Sequence, residues 1–264
     1  MSGFLEIYLS AFLMIIGGMT LLWLVSLALR NASIVDIFWG TGFVLAGWLY
    51  FLLTPAALTE RKLLLMLLVS LWGLRLSFHI LRRNWGKGED FRYRQWREEA
   101  GGRWWWQSFF KVFFLQGILM WLISAPLLAA QMFSGQDRLS ILDGAAIAVW
   151  GIGFFFEVVG DWQLSRFLSN PANRGKLLTS GVWRYTRHPN YFGDAAQWWG
   201  FYLFALSVGG WWTIFSPLLM TVLLRYVSGV ALLEKTMQHK PGYQEYMNTT
   251  PAFFPWFPRR SPKK

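Results

Sequence analysis

Residues 181–194 read Gly-Val-Trp-Arg-Tyr-Thr-Arg-His-Pro-Asn-Tyr-Phe-Gly-Asp and form a polar hinge between two apolar segments. The hinge crowds Arg184, Tyr185, Arg187, His188, Asn190, Tyr191 and Asp194 into a few turns of chain. Pro189 has no backbone N–H to donate and suits the first turn of a helix. Asn190 and Asp194 can complement the free amides and the positive end of that helix. Arg184, Arg187 and His188 offer donors to an anion, and helix N-termini already favour anions. The same residues would also suit an interfacial loop that lays basic and aromatic groups among lipid headgroups. Residue types alone leave both readings open.

A second set of ionisable residues is scattered through apolar sequence: Asp36, Arg75, His79, Glu157, Asp161, Arg225 and Glu234. Each costs roughly 2.5–3.5 kcal/mol at mid-membrane on insertion scales, so such groups pair or line a wet cavity. Glu157 and Asp161 are one turn apart and share a helix face, as do Arg75 and His79. Structural ion pairs, Arg75 with Asp36 or Arg225 with Glu234, are the competing reading for single residues. The chain has no cysteine, which excludes disulfides, zinc ribbons and thiol catalysis. His79, His188 and His239 are far apart in sequence, so no histidine-rich metal site is expected.

The elements that must position these groups are membrane helices. Apolar residues make up 55% of the chain and aromatics 19%, with long apolar runs that recur throughout. The runs predict an all-α, polytopic seven-helix bundle with spans at about 5–29, 34–53, 63–81, 109–130, 141–159, 191–208 and 211–233. The first run has no basic flank and is too long for a signal peptide, so it reads as a retained helix. Gly40, Gly42 and Gly47 lack a βαβ context and predict close helix packing, as do Gly151 and Gly153. Pro55 follows the second span. Residues 82–103 read as a long polar loop of arginines, acids and aromatics at the membrane surface, and Trp104, Trp105 and Trp106 as an interfacial belt. Without an internal repeat or a low-complexity linker, a single membrane domain over 1–264 is the simplest description.

The charge of +11 would suit nucleic acid, but its distribution argues against that partner. With the N-terminus outside, the inner loops and the tail hold nearly all the basic residues, and the outer side holds only Arg61, Lys62 and Arg138. This is the positive-inside bias, expected for a multi-pass protein of a bacterial inner membrane with a cytoplasmic C-terminus. In that orientation the buried ionisable residues fall in the cytosolic half. They imply a polar cavity open to the cytosol, joining an anionic cofactor to a lipophilic small molecule from the bilayer. Membrane lipids are the other expected partner, and the oligomeric state is left open.

Longer motifs carry a resemblance. Gly160-Asp161-Trp162-Gln163-Leu164, Asn170-Pro171, Gly175-Lys176 and the hinge up to Gly193 resemble the DUF1295 branch of the steroid 5-alpha-reductase superfamily. Leu232-Leu233-Glu234-Lys235, Pro241-Gly242-Tyr243 and Tyr246 fit the same branch, as do Val35-Asp36 and Trp39-Gly40 earlier. The resemblance implies NADPH bound from the cytosol and reduction of a carbon–carbon double bond conjugated to a carbonyl in a lipid. It divides the chain into N-terminal helices over 1–156, a cofactor-binding half over 157–258 and a basic tail over 259–264. Matching the cofactor motif places Asp161, Lys176, Tyr185, Arg187, His188, Asn190, Tyr191, Asp194 and Arg225 near NADPH, with Glu157 one turn away. Asp194 stands where the family usually has Glu, and Ser228-Gly229 where steroid reductases carry histidines. Their catalytic Glu/Tyr pair finds its nearest stand-ins in Asp36 and His79, with Tyr191 or Tyr185 as the hydroxyl donor. The Arg-His-Pro-x-Tyr element also occurs in isoprenylcysteine and phospholipid methyltransferases. An S-adenosylmethionine-dependent membrane methyltransferase is therefore the alternative.

Overall fold

A computed structural model describes residues 2–54, 60–133 and 138–259. Pro55 and most of the basic tail, Arg260, Lys263 and Lys264 included, lie outside them. Among the described residues all regular structure is helical. The long helices are α1 (Ser2–Leu29), α2 (Ile34–Leu53), α3 (Glu60–Asn84), α4 (Phe91–Met132), α5 (Ile141–Ser169), α6 (Pro189–Leu206) and α7 (Trp211–Met237), followed by the short α8 (Tyr243–Thr249). All the long helices except α6 are long and apolar enough to cross a membrane. Asn190, Asp194 and Gln197 make α6 more polar. The protein is all-α and multi-pass.

Four local expectations are corrected. The polar stretch 82–103 is not a long loop: α3 runs on to Asn84, and helix resumes at Phe91. Asp90 sets that start by accepting the backbone N–H of Arg92 at 3.0 Å. Trp104 is buried beneath the Arg97 guanidinium rather than interfacial, whereas Trp105 and Trp106 are exposed. The fifth helix continues past 159 to Ser169. Gly151 meets nothing within 4 Å and is not a packing glycine, whereas Gly153 is one.

The chain divides into two compact units. One comprises Met1–Ser140 with Phe204–Thr213, and the other Ile141–Leu203 with Ile214–Lys264. In the first, α2 and α3 touch backbone to backbone. A Cβ on Gly40 would lie 2.2 Å from the Gly73 carbonyl oxygen, and one on Gly73 2.5 Å from that of Gly40. Lipid tails give no hydrophobic drive to helix association, so such close approach, with its dispersion contacts and polar links, is what holds membrane helices together. Ser77 supplies one link by accepting from the Thr41 N–H and hydroxyl, each at 2.8 Å. The Tyr50 hydroxyl meets Ser124 at 2.7 Å. Tyr8 and Trp121 exchange two bonds, Tyr8 Oη donating to the Trp121 carbonyl at 3.0 Å and Trp121 Nε1 to the Tyr8 carbonyl at 2.8 Å.

In the second unit the same device joins α5 to α6, where a Cβ on Gly193 would sit 2.4 Å from the Gly153 carbonyl oxygen. Helix α7 widens into a π-turn over Leu223–Val227 and breaks at Ser228 and Gly229. Arg225 lies in the widened turn.

Gly73→Ala should lower the unfolding midpoint in detergent, because overpacking costs about 1–3 kcal/mol. Gly151→Ala, with open space at its Cβ, should not. Equal effects in thermal unfolding would show that the α2–α3 contact is not what limits stability.

Candidate functional site

Asp36 lies in the first turn of α2, and the chain before α4 is tied down beside it. Ser33 Oγ donates to Asn31 Oδ1 and accepts from the Asp90 N–H, both at 2.7 Å. The Ala32 N–H donates to Glu89 Oε1 at 2.7 Å, and Arg97 clamps the Glu89 carboxylate with bonds of 2.9 and 2.8 Å. These ties deliver Arg92 and Tyr93 onto Asp36. Tyr93 Oη donates to Asp36 Oδ1 at 2.6 Å, and Arg92 Nη2 donates to Oδ2 at 3.1 Å. Gln116 Nε2 donates to Tyr93 Oη at 3.3 Å. Burial opposes ionisation of Asp90, but the Arg92 side chain and N–H bond its carboxylate and hold its pKa below the ordinary aspartate value.

The ion-pair partner of Asp36 is thus Arg92, not Arg75. Tyr93 was legible only as one aromatic among charges. The Asp90 cap three residues earlier was the available signal that it sits on a helix. His79 is half-buried on α3, two residues beyond Ser77, and is not a partner of Asp36.

The second unit has its own half-buried carboxylate. Glu234, beyond the break in α7, accepts from Arg187 Nε at 2.9 Å and Nη2 at 2.8 Å, from His188 Nε2 at 2.8 Å and from the Tyr243 hydroxyl at 2.9 Å. The remaining guanidinium nitrogen of Arg187 donates to the carbonyls of Met247 and Thr250, and its backbone N–H to Pro251 at 2.9 Å. Thr186 Oγ1 donates to the Phe253 carbonyl at 2.9 Å, and Tyr246 Oη to that of Trp183. One carboxylate therefore closes the end of α7, the approach to α6 and α8 into a single clamp. Glu234 pairs with Arg187 rather than with Arg225, the partner named in the competing reading. Burial lowers the pKa of His188 below its ordinary 6.5; Glu234 opposes this, while Arg187 and Arg225 add to it. A neutral ring donating from Nε2 fits that environment.

Beside the clamp, the polar faces of α5 and α6 meet. Asn190 Nδ2 donates to Asp161 Oδ1 at 3.0 Å, and Gln197 Nε2 to Glu157 Oε2 at 2.5 Å. Asp194 is buried on the same helix. Tyr191 packs against the cluster of Ala195, Val230 and Phe253, with its ring 6.0 Å from that of His188. Lys176, Arg184 and Tyr185 are exposed, and Arg225 is half-buried against the Tyr226 ring. Of the site residues expected in this half, Lys176 and Tyr185 are exposed and the others are buried or half-buried.

A family model described as a protein of unknown function, DUF1295, matches residues 22–250. The chain belongs to the DUF1295 family. It is 26% identical over 263 residues to an uncharacterized protein of Schizosaccharomyces pombe, covering 89% of this chain and 75% of that one. It is also 30% identical over 107 residues to 3-oxo-5-alpha-steroid 4-dehydrogenase 1 of Bos taurus, covering 40% of this chain and only 37% of that protein. No solved structure matches the chain.

Two outcomes follow from the clamp. Glu234→Gln strands a buried guanidinium and should cost about 3–5 kcal/mol, while Tyr243→Phe removes one bond to a charge and should cost about 1.5–3 kcal/mol. Thermal unfolding of the purified variants ranks them, and equal losses would contradict a charge-centred clamp. The second outcome concerns pH. His188 binds a proton less readily folded than unfolded, so stability should fall as pH drops through about 6.5. His188→Gln should flatten that decline in a midpoint series from about pH 7.5 to 5.5.

Proposed function

We propose that this membrane protein is an NADPH-dependent reductase of a carbon–carbon double bond conjugated to a carbonyl in a lipophilic substrate. The observation that carries the reading is the Tyr93–Asp36 hydrogen bond at 2.6 Å, which joins a buried hydroxyl on α4 to a half-buried carboxylate on α2. It supports giving Tyr93 the donor role for which the sequence offered His79 or Asp36 with Tyr185 or Tyr191 nearby. The similarity to a steroid 4-dehydrogenase supports the class of reaction.

The residues fit the cofactor in a particular way. The donors of Arg187 are spent on Glu234 and on backbone carbonyls, so Arg187 and His188 shape the site from within. Lys176, Arg184 and Arg225 are the cations left to meet phosphates, and Tyr185 offers an exposed ring. When bound, NADPH supplies a hydride for the β-carbon. Tyr93 donates its hydroxyl proton to the carbonyl oxygen, where negative charge develops. Gln116 holds the phenolic oxygen, and Asp36 with Arg92 holds the hydroxyl in place between turnovers. Protonation at the α-carbon, with the enol proton returning to the Tyr93 oxygen, completes the net addition of one hydride and one proton across the double bond.

NADPH should bind more tightly than NADH, and Arg184→Ala or Lys176→Ala should weaken it roughly ten- to a hundredfold. Tyr93→Phe should leave that affinity intact and lower turnover about 10²–10³-fold with an enone lipid. Nucleotide titration in detergent tests the first point. Binding of S-adenosylmethionine and neither nucleotide would replace the reductase with a methyltransferase.

The reading also needs the cofactor side in the cytosol. With α6 crossing as a seventh span beside the six apolar helices, reporter fusions at Gly3 and after Lys264 should fall on opposite sides, with the C-terminal one inside. Reporters on the same side would remove the cytosolic route for NADPH.

A further inference from the structure

The second unit contains a cavity of about 280 Å³ walled by the middle of α5, the first half of α6, Thr221 of α7 and the tail residues Phe253 and Phe254. Its lining is apolar apart from two groups that satisfy each other. Trp199 Nε1 donates to Thr221 Oγ1 at 3.2 Å, and that hydroxyl donates to the Pro217 carbonyl at 2.7 Å. Neither has a donor left for a ligand, so a polar occupant would lose its water bonds without compensation. The lining suits a hydrocarbon.

Where the cavity opens narrows the choice. Ile152 is 53% exposed and Phe254 69% exposed, so the mouth is on the outer surface. Ile152 lies near the middle of α5, a span of 29 residues, roughly 16 Å from its start at 1.5 Å per residue. At that depth the surroundings are acyl chains rather than water. Past Phe254 the tail presents Trp256 and Phe257, both strongly exposed aromatics of the kind that settle at the membrane–water boundary. The cavity thus has one wall at bilayer depth and another beside an interfacial anchor. Its volume is near the lower end, roughly 300 Å³, of small-molecule pockets, which suits a linear chain better than a fused-ring body.

We propose that this cavity seats one acyl chain of a bilayer phospholipid, entered from the side, with the headgroup at the level of Trp256. The seat has a structural consequence. The Phe253 carbonyl accepts the Thr186 hydroxyl, and the adjoining Thr250 and Pro251 carbonyls take the Arg187 donors. A chain pressed against Phe253 and Phe254 braces the tail side of the Glu234 clamp. Lipid occupancy stabilises the hinge whether or not the protein is a reductase.

The test uses the full-length protein reconstituted with a phosphatidylcholine that carries a photoactivatable diazirine on one acyl chain. Cross-links mapped by mass spectrometry should concentrate on Ile152, Ala196 and Phe254, at least about fivefold above the lipid-exposed Leu13 and Leu21 of α1. Ala196→Trp fills the cavity and should reduce the first set about tenfold while sparing the α1 labels. Val149→Phe is a milder filler should the tryptophan variant not fold. Adding phosphatidylcholine to delipidated protein should raise the unfolding midpoint of the wild type and not of the filled variant. Labels spread evenly over the lipid-facing helices, or cavity labels that survive the filling, would overturn the proposal.

Discussion

The Glu234 carboxylate is the group on which the second unit depends. A charge in a low-dielectric setting is tolerated only when donors surround it. Four donors from Arg187, His188 and Tyr243 do so. They come from segments far apart in sequence, so one electrostatic requirement fixes the end of α7, the entrance to α6 and α8 together. The break at Ser228 and Gly229 frees the last turns of α7 to turn their acid toward those donors. Removing the acid would unmake the arrangement from its centre, because Arg187 also secures the tail through backbone carbonyls.

The first unit repeats the logic with different residues. There Asp36 receives Arg92 and Tyr93, again two neighbours in sequence turned onto one carboxylate. The chemistry of the two pairs differs. An imidazole and a guanidinium make a cationic clamp. A phenol beside a carboxylate makes a hydroxyl that can be aimed. That difference underlies the proposed roles: structure and cofactor shaping for Glu234, and proton donation by Tyr93 held on Asp36.

Around both acids the helices approach through glycine, at Gly40 with Gly73 and at Gly153 with Gly193. Close backbones leave little room to adjust, which is how polar side chains on facing helices are held within bonding distance. The acyl-chain cavity is the exception, since Ala195 and Ala196 leave space that no side chain fills. In a membrane such space is occupied by lipid rather than left empty.

By itself the sequence determined the helical, multi-pass character, most of the spans, and the concentration of polar and ionisable groups around residues 181–194 and at Asp36. These follow from local properties: apolar runs of bilayer length, the proline at the start of α6, and acids inside apolar segments. Partner choice was beyond it. Arg75 and Arg225 were as plausible as Arg92 and Arg187 for pairing the buried acids, because the number of residues between two charges does not tell which way helices turn. Tyr93 looked like one more aromatic in a polar loop until Asp90 capped a helix and Glu89 tied that helix beside α2. Trp104 joined the core for the same reason. Tertiary structure decided these points because a buried charge is satisfied by whatever donors the fold brings within about 3 Å, and that distance is set by packing between elements rather than along the chain.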